Sequence, residues 1–333
     1  MKKMLLLCTM LLLVLAGCMN SSDSEEELKK ITIAEPIHLI GYLPLYIAIH
    51  EGYFEEVGLD VEMVTSTGGA HVTTVVSDDA WGNIAGPDSN QMANIGSDDP
   101  ITAIVNVVNR ANVYIMAEKN QTLEGESDQQ LKEFMDGKTI AAGRYGGSPN
   151  LLTRWLLMNI GLDPEQDVVF EEPADGAAVL SLVENGQSDM AVGAEPQINN
   201  GIEKGVWNEP FYKFPELGDY AYSVVSVKQS TIEEEPEVVQ SFVEAVVKAL
   251  EVVQEDEELA MRILKEEFST SSEADLQASL DRAYEDNLWS VDGYISEEAV
   301  AKVMEVVEQT GVYTDGYDYN TLVDMQFVEA VEK

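Results

Sequence analysis

The chain has 333 residues, enough for two compact domains. It sets 19 Lys and Arg against 61 Asp and Glu, a net charge of −42, which argues against nucleic acid or an anionic lipid surface as a partner. The acids are spread along the chain and hydrophobic content is an ordinary 45%, so the composition is that of a folded protein with an acidic surface, not a disordered one.

Met1-Lys2-Lys3 precedes an apolar run from Met4 to Leu15, a basic start and a signal core too short for a comfortable membrane span. Leu15-Ala16-Gly17-Cys18 follows and resembles a bacterial lipobox. Residues 1–17 are expected to be a signal peptide whose cleavage leaves Cys18 as a lipidated N-terminus and a chain of 333 − 17 = 316 residues. The alternative is an ordinary secretory signal with an incidental cysteine. Residues 18–30, including the polar run Asn20–Glu27, read as a flexible tether. The cysteines are Cys8 and Cys18, so the body beyond them has no thiol for disulfides, Cys–Zn sites or nucleophilic catalysis.

Ile31–Ala34 reads as a strand ended by Glu35-Pro36. After a loop holding His38, Gly41 and Tyr42, Pro44 suits a first helical turn, and Leu45, Ala48, Ile49 and Gly52 share one helical face. Gly52 and Gly58 suit positive-φ turns. Leu59, Val61 and Met63 then alternate with Asp60 and Glu62 as a strand. The pattern continues with a glycine-rich turn at Thr65–Gly69, a short helix at Val72–Val76, a strand at Trp81–Ala85 stopped by Gly86-Pro87, and a helix from Asp88 to Ile95. Ile101–Val108 and Val113–Ala117 are β-branched strands.

Asn120–Asp136 reads as a polar excursion or weak helix. A second series begins at Lys138: a strand at Thr139–Ala142, a loop at Gly143–Gly147, and a helix with Ser148 as N-cap and Pro149 at the first helical position. Strands at Asp167–Phe170, Met190–Gly193 and Tyr222–Val227 alternate with helical segments, which predicts an α/β fold with mostly parallel sheets. From Pro236 the chain turns helical, with core stripes through Val239, Phe242, Val246 and Leu250 and through Val300, Val303, Met304 and Val307.

The run Pro44, Ala48, Gly52, Tyr53, Phe54, then Gly58, Leu59, Asp60, Val61, Glu62 resembles the first helix and strand of periplasmic-type solute-binding proteins of ABC importers. The branch is the one that carries sulfonates, taurine, nitrate or the pyrimidine precursor of thiamine, and the resemblance extends from about Ile31 to the last helices. It implies an α/β, two-lobed periplasmic-binding-protein type II fold with a hinge and an interlobe ligand cleft. Lobe one would hold residues 31–114 and 222–333, and lobe two residues 115–221. It also implies an extracytoplasmic monomer that captures a small-molecule solute and delivers it to ABC permease subunits. Such a protein needs no cofactor and no metal, touches the membrane only through the lipid on Cys18, and binds no nucleic acid.

In open α/β sheets ligands sit beyond the carboxyl ends of the strands. The candidate ligand residues are therefore Glu35, His38 and Tyr42; Gly68 and Gly69; Gly86 and Asp88; Tyr145, Gly146, Gly147 and Ser148; and Glu195. The glycine–serine loop suits an oxyanion. The acids and tyrosines suit a heteroaromatic amine, and with Arg144 the one arginine in these junctions the balance leans toward an uncharged, zwitterionic or amine-bearing solute. Each of these residues also has a plainer use as a turn, a cap or a solvated acid.

The histidines are His38, His50 and His71, and His50-Glu51 lacks the second histidine of a zincin helix. Asp315–Asn320 lacks the spacing of a calcium loop and reads as a turn. A thiamine-pyrimidine synthase of the same fold is one alternative, although its cysteine-rich motif is absent. A binding protein that feeds a receptor instead of a permease is another.

Self-repulsion among 61 acids should make salt a stabiliser. The denaturation midpoint is expected to rise between about 0.1 and about 1 M NaCl; a flat or falling midpoint would contradict this.

Overall fold

The apolar alternation after the acidic tether produces β1 (Lys29–Glu35), which lies parallel to β2 (Leu59–Thr65) and β3 (Gly82–Ala85). The computed structural model describes residues 28–174 and 176–331, so the signal-like run and Cys18 lie outside the described residues. Between the strands run α1 (Leu43–His50), α2 (Tyr53–Glu56) and α3 (Ala70–Val76), and α4 (Pro87–Ala93) leads to β4 (Ile101–Val108).

The chain then enters a second sheet. Its elements are β5 (Tyr114–Ala117), α5 (Asp128–Met135), β6 (Thr139–Ala141), α6 (Ser148–Asn159), β7 (Val169–Glu171), α7 (Gly176–Glu184), β8 (Met190–Gly193), α8 (Gln197–Glu203) and β9 (Tyr212–Lys213). It returns through β10 (Ser223–Lys228), α9 (Gln229–Glu234), α10 (Pro236–Glu255), α11 (Glu257–Glu267), α12 (Glu273–Glu285) and α13 (Glu297–Gln309). Strand order is β2-β1-β3-β10-β4 in the first sheet and β7-β6-β8-β5-β9 in the second. The protein is thus α/β and two-lobed.

Each sheet is mixed, where the sequence predicted mostly parallel pairing. β10 is antiparallel to β3 and β4, and β5 is antiparallel to β8 and β9. Both strands follow a crossing between sheets, at residues 109–113 and 214–222, so each arrives from the opposite end to the strands built by helical crossovers.

Helix α1 was expected to bury one face. It is buried from Leu43 to Ala48 with no polar side, because α10 and α11 cover what the sheet does not. Gly52 (φ +71°) and Gly58 (φ +83°) take the left-handed turns their sequence positions suggested. The Asn120–Asp136 stretch contains a true helix, α5, started by a reciprocal Ser127–Gln130 capping box. Within Asp315–Asn320 the Asp318 side chain accepts from Asn320 N and starts a helical turn at Tyr319.

The lobes also meet through a polar strut away from the cleft, where α12 faces α8. Arg282 Nε donates to Glu195 Oε1 at 2.8 Å, with the two residues 8% and 5% exposed. Asn199 donates to both Glu195 oxygens, Arg282 also reaches Glu209, and Tyr114 Oη donates to Asp286 at 2.7 Å. Burial pushes the Glu195 carboxyl up, and Arg282 pulls against that rise.

Replacing Arg282 with Met would strand a buried carboxylate. The variant should lose about 3–5 kcal/mol at neutral pH by denaturant titration. A loss below about 1 kcal/mol would mean that water reaches Glu195.

Candidate functional site

The carboxyl ends of β1–β3 and of β6–β8 face one another across a cavity of about 180 Å³. A space of that size admits one small solute. The β1–α1 loop contributes Pro36, Ile37, Leu39 and Tyr42; the β2–α3 turn contributes Gly68, Gly69 and His71; the start of α4 contributes Gly86 and Ser89. From the second lobe come Gly143, Arg144, Gly147 and Ser148 before and on α6, Pro173 and Ala174 before α7 with Gly176 at its start, and Gly193 and Gln197 around α8. Asn112, Tyr222 and Ser223, at the interlobe crossings, close the floor.

Glycines permit these close approaches. A Cβ on Gly86 would stand 2.2 Å from Asp88 Oδ1, and one on Gly176 would stand 2.4 Å from Gln197 Nε2. Helix α6 starts one residue earlier than its Ser-Pro sequence suggested: Gly147 is the N-cap, Ser148 is the first helical residue, and the Ser148 hydroxyl does not cap. The positive end of this 12-residue helix therefore meets the cleft without a side-chain cap.

Arg144 is the cation of this wall. The sequence has five arginines, and Arg110, Arg154, Arg262 and Arg282 each pair with a carboxylate. Among the described residues no carboxylate pairs with Arg144, whose Nη1 donates only to the Tyr145 carbonyl at 3.3 Å. Its guanidinium spans the cleft to lie 3.8 Å from where a Cβ on Gly69 would be, in the opposite lobe. His71 is buried in the facing wall, on the first lobe, and burial together with the Arg144 charge lowers its pKa to about 4, so the ring is neutral near pH 7. Burial likewise raises the Tyr42 and Tyr222 phenols, so both are un-ionised hydrogen-bonding groups.

Of the residues the sequence singled out, Tyr42, Gly68, Gly69, Gly86, Gly147 and Ser148 lie on the cavity wall. Asp88 is buried behind Gly86, turned toward its own helix start, with its carboxyl raised by burial. Tyr145 and Gly146 sit just outside, and the Tyr145 ring lies under Arg154 at 5.1 Å.

Glu35 and His38 are drawn into a different cluster. Glu35 accepts from Tyr46 Oη at 3.1 Å and Thr65 Oγ1 at 2.8 Å and lies 3.1 Å from His38 Nδ1. His38 Nε2 lies 3.3 Å from Glu267 on α11, and its ring packs on Phe268 with centroids 4.6 Å apart. Glu195 faces Arg282, away from the cavity.

Sequence reasoning missed His71, Ser89, Asn112, Gln197, Tyr222, Ser223 and the whole β7–α7 junction. The junction was findable, since Pro173 to Gly176 has the same strand-then-glycine signature as the others. Asn112 and Ser223 were not, because the strand-end rule does not reach crossing segments. Among the described residues no group of three His, Cys, Asp or Glu could hold a metal ion, and no helix is long and apolar enough to cross a membrane.

The profile of the NMT1-like family matches residues 24–265. The chain belongs to the NMT1-like family. Its relatives include YtlA of Bacillus subtilis (strain 168), whose name assigns it to binding without a ligand, 26% identical over 96% of this chain and 94% of that one. The formylaminopyrimidine-binding protein of Halalkalibacterium halodurans is 25% identical over 76% of this chain and 75% of its own. In fold, the periplasmic nitrate-binding protein NrtA of Synechocystis PCC 6803 superposes with a TM-score of 0.77, covering 92% of this chain and 88% of that one at 15% identity. For this NMT1-like chain, the family and fold read from the Pro44–Glu62 motif therefore hold.

The His38 cluster predicts a pH dependence unconnected with the cleft. Burial alone would lower the imidazole, but hydrogen bonds and charge from Glu267 and Glu35 outweigh it and raise the pKa to about 9, from 6.5. The raised value means that His38 stabilises the fold fully below about pH 6.5 and that this contribution disappears as pH rises through about 9. Stability measured across that window should fall in the parent and fall less in His38→Gln; equal slopes would remove His38 as the cause.

Proposed function

We propose that this protein is an extracytoplasmic solute-binding lipoprotein, anchored through Cys18, that traps a small monoanion in its interlobe cleft and presents it to an ABC permease. The observation that carries the reading is Arg144: in a chain of net charge −42, one half-buried guanidinium lines the cleft and, among the described residues, has no carboxylate paired with it. Such a cation is a ready partner for a sulfonate, nitrate or carboxylate, and the start of α6 adds positive potential beside it. Ile37, Leu39, Val179 and Val192 would pack a short apolar body, and Asn112, Ser89 and Gln197 would orient it. Closure would occur by rotation about residues 109–113 and 214–222, the two connections between the sheets.

A second reading is a pyrimidine-type heteroaromatic. The Tyr42 and Tyr222 rings in the wall, and the name of the Halalkalibacterium halodurans relative, favour it. Against it, Glu35 and Glu195, the acids that would accept from a ring amine, are turned to Tyr46 and Arg282.

Calorimetry on protein made without its first 17 residues separates the two, with nitrate, ethanesulfonate, taurine and a formylaminopyrimidine as probes. One of the anions should bind, and Arg144→Gln should weaken it about ten- to a hundredfold. Binding of the pyrimidine alone, unchanged in Arg144→Gln, would replace the first reading with the second.

A further inference from the structure

His71 lies on the first turn of α3, lines the cleft and is 3% exposed. Its Nδ1 is buried without a hydrogen-bond partner. A neutral imidazole needs a donor for one nitrogen and an acceptor for the other, so an unpaired buried ring nitrogen in a ligand cavity is a point at which a ligand can be recognised.

Among the described residues the charged groups around it are few. Glu35, at the end of β1, is engaged by Tyr46 and Thr65. Asp88, on α4, is folded over Gly86. Lys228, at the end of β10, pairs with Asp78 just after α3, and Asp79 accepts from Ser77. β3 carries no titratable side chain. That leaves Arg144, reaching in from the other lobe to the Gly69 position two residues before His71.

We propose that His71 is a second recognition residue of the cleft: an oxyanion drawn to Arg144 is also gripped by the His71 ring as imidazolium, so that binding takes up a proton from solvent. The inference rests on the reading of the cleft as an anion site. An anion seated between the two side chains cancels the repulsion that Arg144 exerts on a charged imidazole. It also gives the unpaired Nδ1, once protonated, an acceptor. The ring is held neutral by burial and by Arg144, with a pKa near 4; a negative oxygen beside it offsets the Arg144 repulsion and adds an attraction of its own that opposes the cost of burial. The ligand class this favours is an anion with at least two oxygens, such as a sulfonate, nitrate or carboxylate, which offers each of the two side chains an oxygen of its own.

The test uses nitrate and ethanesulfonate, whose own charge does not change between about pH 5 and about pH 8. Calorimetry in buffers of differing ionisation heat counts the protons. Uptake should approach one proton per anion toward about pH 5, with affinity rising up to about tenfold for each unit that pH falls. His71→Gln should bind more weakly, with no proton uptake and a flat profile. Anion binding that is independent of pH in the parent, or the same slope in His71→Gln, overturns the inference and leaves the anion reading standing. If neither anion binds at any pH, the anion reading fails and the inference fails with it. Should His71→Gln lose its circular dichroism signature, the proton count of the parent alone decides.

Discussion

Parallel strands cannot follow one another directly. Each must be separated from the next by a crossover, here a helix, and the crossover returns the chain so that every helix starts at the same end of the sheet. This constraint organises the molecule. It places the β1–α1, β2–α3 and β3–α4 junctions on one rim and the β6–α6, β7–α7 and β8–α8 junctions on another. Two crossings of the chain then set the rims face to face. The antiparallel strands β5 and β10 are the direct mark of those crossings, and the residues beside them, Asn112 and Ser223, form the floor where the rims converge.

The rims differ chemically, and the difference follows from which residues each junction can spare. In the first lobe the loop after β1 keeps its acid for internal use. Glu35 ties Tyr46, Thr65 and His38 together, and His38 passes the connection to Glu267 on α11. The same division applies in the second lobe, where Glu195 turns away from the cavity to meet Arg282. These two acids are thus used to hold the body together, and among the described residues what remains in the wall is glycine backbone, apolar side chains, hydroxyls, amides, one imidazole and one guanidinium. Among the described lining residues the one group charged near pH 7 is the Arg144 cation, although the protein as a whole is strongly negative.

Much of this was legible from residue pattern. Pro44 to Glu62 gave the family, Gly52 and Gly58 gave the turns, and the strand-end rule found Gly68, Gly69, Gly86 and the Gly147–Ser148 corner. The failures share a cause. Whether an acid at a strand end faces a ligand or a partner side chain depends on groups far along the chain: Tyr46 and Glu267 for the first cluster, Arg282 for Glu195. Periodicity carries no information on those pairings. The α1 stripe told only part of the burial for the same reason, since α10 and α11, some 200 residues later, bury the rest of that helix as well. The Ser148 cap failed locally, because a Ser-Pro pair fits both the N-cap and the position after it, and the extended Gly147 took the cap.

The contrast between local and global charge sets the physics of capture. The strongly acidic surface repels an approaching anion at long range, and that repulsion is screened within a Debye length of about 8–10 Å at moderate salt. Inside the cleft, water is displaced and screening is weak, so the Arg144 guanidinium and the start of α6 act at nearly full strength on whatever reaches them. Long-range repulsion and short-range attraction therefore respond differently to salt. The first slows entry in dilute solution and fades as ions are added, while the second persists. An acidic exterior is then compatible with an anion-selective interior, provided that no carboxylate enters the cavity wall. Among the described residues, the internal engagement of Glu35 and Glu195 keeps their carboxylates out of it, as that condition requires. Asp88 nearly breaks it, and the fold answers by burying its carboxyl behind Gly86, where desolvation favours the protonated, uncharged form.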